Sequence, residues 1–148
     1  KGGRVKTIAD DAQDVRHLGG AMRETSPYRS FWQAGFEGAD HVNGSGRQLC
    51  LNSLTDHTER MREDYAGAAA MGLRTVRESL SWRRLERAGR HDFAQVDRTL
   101  ALARARGVQV LWTLCHYGLP DGLDYFDADF GPRLAAYCGA FARHVAAG

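Results

Sequence analysis

The chain predicts an α/β class with parallel strands and outer helices, and three observations carry that reading. Helical stripes alternate with short apolar runs. Glycines stand at positions 72, 107 and 148, each where a helical stripe ends, as a left-handed helix cap requires. The segments after the apolar runs are long and polar, as in barrels whose function sits at the C-terminal ends of the strands. The alternation is that of βαβ units in a parallel sheet. It amounts to about three βα units, the N-terminal part of a (β/α)8 TIM barrel.

Residues 1–30 read as a polar, weakly structured lead-in. A short helix over Asp10 to Leu18 fits the pattern, ended by Gly19-Gly20. The partial barrel occupies residues 31–148. Phe31 to Glu37 is an aromatic run expected to be the first strand, followed by a polar loop from Gly38 to Gln48. Ser53 or Thr55 can cap the first helix, with Asp56 and Glu59 in its acidic first turn. Leu54, Met61, Tyr65, Ala68 and Met71 make its apolar stripe. Leu73 to Leu80 reads as the second strand, followed by a loop through Arg90. Asp92 and Gln95 form a variant capping box for a second helix, whose buried face is Phe93, Val96, Leu100 and Ala103. Val108 to Leu114 is the strongest strand, expected to be buried on both faces. Gly131-Pro132 then starts a third helix, proline being suited to the first helical position. Its stripe is Leu134, Tyr137, Phe141 and Val145.

The pattern stops where a fourth strand is expected, and a whole barrel takes about 250 residues. The expectation is a barrel truncated before its fourth strand. The opening on Lys1 rather than Met agrees with an incomplete reading frame.

Composition narrows the function. Over 148 residues, 43% are apolar and 26% charged, with a net charge of +2. Such values suit a globular domain and exclude wholesale disorder. Basic residues are interspersed with acidic ones, so no nucleic-acid partner is expected. No apolar run reaches the length of a membrane span, and the first residues lack the apolar core of a secretory signal. Three cysteines, Cys50, Cys115 and Cys138, form no C-x-x-C pair. Reduced thiols and a cytoplasmic location are the expectation. The six histidines show no metal-ligand spacing, so neither a metal nor a cofactor is expected.

The chemistry-bearing positions lie at the strand ends. Glu37 closes the first strand, Arg77 belongs to the second, and His116 follows the third. In a parallel barrel these points converge on one mouth, where they could hydrogen-bond sugar hydroxyls and orient a catalytic carboxylate. Resident carboxylates offer little for cleavage. Glu78 alternates with Arg77 and points away from the mouth, and Asp121 and Asp124 sit in a post-strand loop.

Arg77-Glu78-Ser79-Leu80-Ser81-Trp82-Arg83-Arg84 resembles the R-F-S-I-S-W-x-R stretch of glycoside hydrolase family 1, the β-glucosidases. Thr113-Leu114-Cys115-His116-Tyr117-Gly118-Leu119-Pro120 resembles that family's T-L-x-H-W-D-L-P, and Phe36-Glu37-Gly38 is a shorter echo of its Q-I-E-G. The resemblance runs from about Phe31 to Val145. It implies that Arg77 hydrogen-bonds the catalytic nucleophile, or else forms a strand-end ion pair. It further implies that His116 and Glu37 bind sugar hydroxyls in the first subsite, and that Trp82 packs below the site. Gly35 replaces the family's glutamine, for which Gln33 on the same face could substitute. Tyr117-Gly118 replaces Trp-Asp, leaving Tyr117, with Asp121 beyond it, as further substrate contacts. These departures point to a divergent relative in the same clan, with a β-mannanase-like or β-galactosidase-like relative as an alternative.

A retaining glycosidase needs two carboxyl groups about 5–5.5 Å apart. In the family resembled, the acid/base lies in an N-E-P motif on the fourth strand and the nucleophile on the seventh, so neither catalytic residue belongs to these 148 residues. The leading expectation is therefore a fragment of a retaining glycoside hydrolase with a carbohydrate substrate, inactive by itself. The alternative is a non-catalytic carbohydrate-binding or interaction protein derived from such a barrel. A third option is another barrel enzyme, such as a phosphate-binding lyase. An exposed sheet edge would favour self-association.

Overall fold

The computed structural model describes residues 26–148. The short helix expected over Asp10 to Leu18 lies outside them. Three parallel strands form the central sheet: β1 (Gln33–Phe36), β4 (Thr75–Ser79) and β7 (Gln109–Thr113), in the order β1-β4-β7. Gln33 aligns with Thr75 and Thr75 with Gln109, so the three strands start level. Between β1 and β4 run a hairpin of β2 (Asp40–Val42) and β3 (Gln48–Cys50), a single turn α1 (Leu51–Leu54) and the helix α2 (His57–Ala70). Between β4 and β7 run a short α3 (Trp82–Leu85), a hairpin of β5 (Glu86–Arg87) and β6 (Arg90–His91), and α4 (Ala94–Arg106). The helix α5 (Phe130–Ala147) follows β7. This is three βα units of a (β/α) barrel, as the alternation of stripes predicts.

Alternation along β4 sorts the two faces. Val76 and Glu78 are fully buried while Arg77 between them is exposed. Helices cover the Val76 side. Met61, Tyr65 and Ala68 of α2 pack with Val76, Ala103 and Val108. A second cluster joins Trp82, Leu85, Phe93 and Val96 to Tyr137 and Phe141 of α5. There Trp82 stacks on Tyr137 with ring centroids 5.2 Å apart and planes 8° from parallel.

Several local expectations need correction. The first strand begins at Gln33, leaving Phe31 and Trp32 exposed. The expected polar loop after it holds the β2–β3 hairpin, and the loop before Arg90 holds α3 and the β5–β6 hairpin. These strands have only two or three residues each, too short for a period-2 signal. Neither Ser53 nor Thr55 caps α2. Ser53 lies inside α1, Thr55 Oγ1 donates to Leu51 O, and Asp56 takes the cap position in a left-handed turn. Leu54 and Met71, the two ends of the expected stripe, are exposed, and His57 is buried in their stead. The capping box before α4 is half formed. Asp92 Oδ1 accepts the Ala94 N–H, but Phe93 holds the cap position. Helix α5 begins two residues before Pro132. β7 is half-buried throughout, because it forms an edge of the sheet.

The caps at Gly72 and Gly107 behave as expected, with φ of +79° and +63°. Arg29 and Ser30, in the lead-in, are tied to the N-terminal edge of the sheet. The Arg29 N–H donates to Thr75 Oγ1, and Ser30 Oγ accepts the Arg74 and Thr75 N–H groups at 2.8 and 3.0 Å.

Candidate functional site

The C-terminal ends of β1, β4 and β7 present a shared polar patch on the face opposite the helices. Gly35, Arg77 and Leu111 lie side by side in register, so their side chains leave the sheet on one face. One row further on, Glu37 reaches across all three strand ends. Its Oε2 pairs with Arg77 Nη2 at 3.0 Å, and its Oε1 accepts a hydrogen bond from Thr113 Oγ1. One carboxylate thus joins the ends of three parallel strands. A Cβ placed on Gly35 would meet nothing within 4 Å, so the floor beside Arg77 is open where the resembled family carries a glutamine.

His116 leaves β7 at the same end. Its backbone O accepts the Asp40 N–H at 2.9 Å, which ties the loop after β7 to the loop after β1. Its ring lies beside Tyr117, with centroids 4.9 Å apart. Its Nδ1 is buried with no hydrogen-bond partner among the described residues. Buried polar atoms are nearly always satisfied, which makes this nitrogen an exception among the described residues. Tyr117 is exposed, with φ of +75°, and its carbonyl accepts a hydrogen bond from Tyr125 OH.

The other expected contacts lie elsewhere. Gln33 sits level with Thr75 at the start of the strands. Four residues of strand, about 13 Å, separate it from Glu37. It shares the face but lies toward the start of the strands. Asp121 lines a separate cleft with Arg47, Arg83, Arg84 and Arg87, apart from the Glu37–Arg77 pair. Trp82 is fully buried and donates Nε1–H to Glu86 Oε2 at 2.7 Å.

Three groups that hold the mouth in place carried no signal in the sequence. Asp40, 2% exposed, accepts from Ser81 Oγ and from Arg83 Nε at 2.9 Å. Gly118 passes so close that a Cβ there would stand 2.7 Å from the Asp40 carboxylate. Gly118 is thus matched to a buried carboxylate arriving from another loop. Asn52 clamps the end of β1, with Nδ2 donating to Phe36 O and Oδ1 accepting the Gly38 N–H at 2.9 Å. Behind the sheet Glu78 is fully buried and receives Tyr65 OH at 3.0 Å and His57 Nε2 at 3.2 Å, while His57 Nδ1 meets Asp64 at 2.7 Å. Burial alone would lower the His57 pKa. The hydrogen bonds and charges of Glu78 and Asp64 outweigh it and raise the value above that of a free imidazole.

Fold and mouth together define the class: the first three βα units of a parallel barrel with a polar patch at its C-terminal face. Among solved structures, the chain is similar to the exo-beta-1,4-mannosidase Op5Man5 from Opitutaceae bacterium strain TAV5. The TM-score is 0.55 at 20% identity, covering 76% of this chain. The chain spans 22% of the length of that protein. No protein-family model and no curated protein matches the chain. Among the described residues no helix is long and apolar enough to cross a membrane, and no group of His, Cys, Asp or Glu is placed to hold a metal ion.

Proposed function

We propose that the chain is the N-terminal part of a retaining glycoside hydrolase, and that Glu37, Arg77 and His116 line its sugar-binding mouth. The observation that carries the reading is the single carboxylate of Glu37 linking Arg77 and Thr113 across the C-terminal ends of three parallel strands. Glycosidase barrels bind at that face. A likeness of fold to an exo-beta-1,4-mannosidase supports the class of reaction.

In this reading the chain's residues bind and orient, and the cleaving carboxyl groups stand on later strands. Glu37 accepts hydroxyl protons of the sugar in the first subsite. The exposed Arg77 has five N–H donors, and the Glu37 pair leaves others free to hold a carboxylate ionised. The unpartnered Nδ1 of His116 meets a hydroxyl. The exposed ring of Tyr117 extends the site. The outer strands β1 and β7 pair with later strands of the barrel or, in the isolated chain, with another copy.

The test is to express the complete reading frame and assay it on aryl β-glucosides and β-mannosides, following the anomer released. Cleavage with retained configuration supports the reading, with the β-glucoside preferred if the family 1 resemblance sets specificity. A folded product that binds these sugars without cleaving either would favour the non-catalytic carbohydrate-binding reading.

A further inference from the structure

A cleft of about 390 Å³ lies apart from the Glu37–Arg77 pair, and the glycosidase reading does not use it. Arg47 reaches it from the β2–β3 hairpin, Arg83 and Arg84 from α3, and Arg87 from the β5–β6 hairpin. Ser53 and Asp121 complete the polar lining. Four arginines from three separate elements thus line one cleft that contains a single acidic residue.

Two of the four are fixed. Arg83 is held by the buried Asp40, and Arg84 Nη1 donates to Ser53 Oγ at 2.7 Å. Among the described residues neither Arg47 nor Arg87 forms an ion pair, and both are exposed. Ala88 and Gly89, both with positive φ, make the tight turn that carries Arg87. Guanidinium groups gathered this way repel one another until an anion joins them. Their planar forks match the oxygens of a phosphate or sulfate group, two hydrogen bonds at a time. The cleft has the size of a small-ligand site, ample for a phosphorylated monosaccharide.

We propose that this cleft binds a doubly charged tetrahedral oxyanion, the phosphate group of a monoester ligand. Arg84 and Arg83 form its fixed wall, and Arg47 and Arg87 close on the anion from the two hairpins. The proposal stands apart from the glycosidase reading, since it needs neither Glu37 nor a cleaving carboxylate.

The test is calorimetric titration of the full chain with inorganic phosphate, glucose 6-phosphate and neutral glucose, at matched ionic strength in chloride. Saturable binding of phosphate or its ester is expected, weakened about tenfold or more in the R47Q/R87Q double variant. Arg98→Gln, an exposed substitution outside the cleft, should leave it unchanged, and circular dichroism checks that each variant is folded. Tighter binding of glucose 6-phosphate than of phosphate assigns the site to an ester; equal binding assigns it to the free anion. No saturable phosphate binding, or equal binding in a folded double variant, would overturn the proposal.

Discussion

Arg77 and Glu37 are bonded at 3.0 Å across neighbouring strand ends, yet the arginine side chain is 54% exposed and the carboxylate 21%. A pair this open to water contributes about 0–1 kcal/mol to stability. It contributes little as a brace, and the sugar-binding proposal gives it a role at the mouth.

From this follows a separation of stability from function. Arg77→Gln should lower unfolding free energy by no more than about 1 kcal/mol. In the product of the complete frame, it should lower kcat on aryl glycosides about a hundredfold. Denaturant melts of the 148-residue chain and steady-state kinetics of the complete product check both. A large loss of stability with unchanged kcat would return Arg77 to a structural ion pair.

The group that does brace the fold is Glu78. It is fully buried behind the sheet with His57 and Tyr65 as donors. Removing one partner of a buried charged pair costs about 3–5 kcal/mol. Glu78→Ala should show a loss of that order by urea unfolding, several times that of Arg77→Gln.

A pH dependence accompanies the same cluster. The folded-state pKa of His57 is raised above the free imidazole value, so folding favours its protonated form. Its contribution is complete below about pH 6.5 and is lost as pH rises through the raised folded value. Urea midpoints should fall from pH 5.5 to 8.5, and the fall should shrink in His57→Gln. An identical slope in the variant would contradict the assignment.

Glu86 carries the opposite sign. Burial alone would raise its pKa, but hydrogen bonds from Arg133 and Trp82, with the charges of Arg133 and His91, lower it. Its contribution is present above about pH 4.3 and is lost as pH falls through the lower folded value. Arg133, 2.7 Å away on α5, is the main partner. Arg133→Ala should shift the acid-unfolding midpoint upward, by a measure that far-UV circular dichroism against pH reads directly.

Two glycines three residues apart should respond in opposite ways to the same change. A Cβ on Gly35 meets open space, whereas one on Gly38 would stand 2.1 Å from Asn52 Oδ1 and 2.5 Å from the Asn52 backbone N. Gly35→Ala should be neutral or stabilise by up to about 1 kcal/mol. Gly38→Ala should destabilise by about 1–3 kcal/mol, as thermal melts will show.

The parallel sheet was legible because burial imposes period and punctuation. Val110 sits in an apolar run, and Gly72 and Gly107 stand where left-handed caps are needed. The hairpins were not legible, since strands such as Glu86–Arg87 are set by their turn and by tertiary contact rather than by their own pattern. Glu37, Arg77 and His116 could be placed at one end of the sheet because strand ends converge in a parallel barrel. Gln33 shares their face, and alternation alone does not say at which end of a strand a residue lies. Asp40, Asn52 and His57 act through partners 7 to 43 residues away, and a single polar residue carries no trace of which of them it will meet.

The most direct test of the glycosidase reading is the coding DNA beyond the codon for Gly148. A barrel of about 250 residues gives each βα unit about 31, so the fourth strand should end within roughly that distance. The account predicts an open frame reaching Asn-Glu-Pro there. A frame continuing through two more βα units without that motif, or a stop codon directly after Gly148, would contradict it.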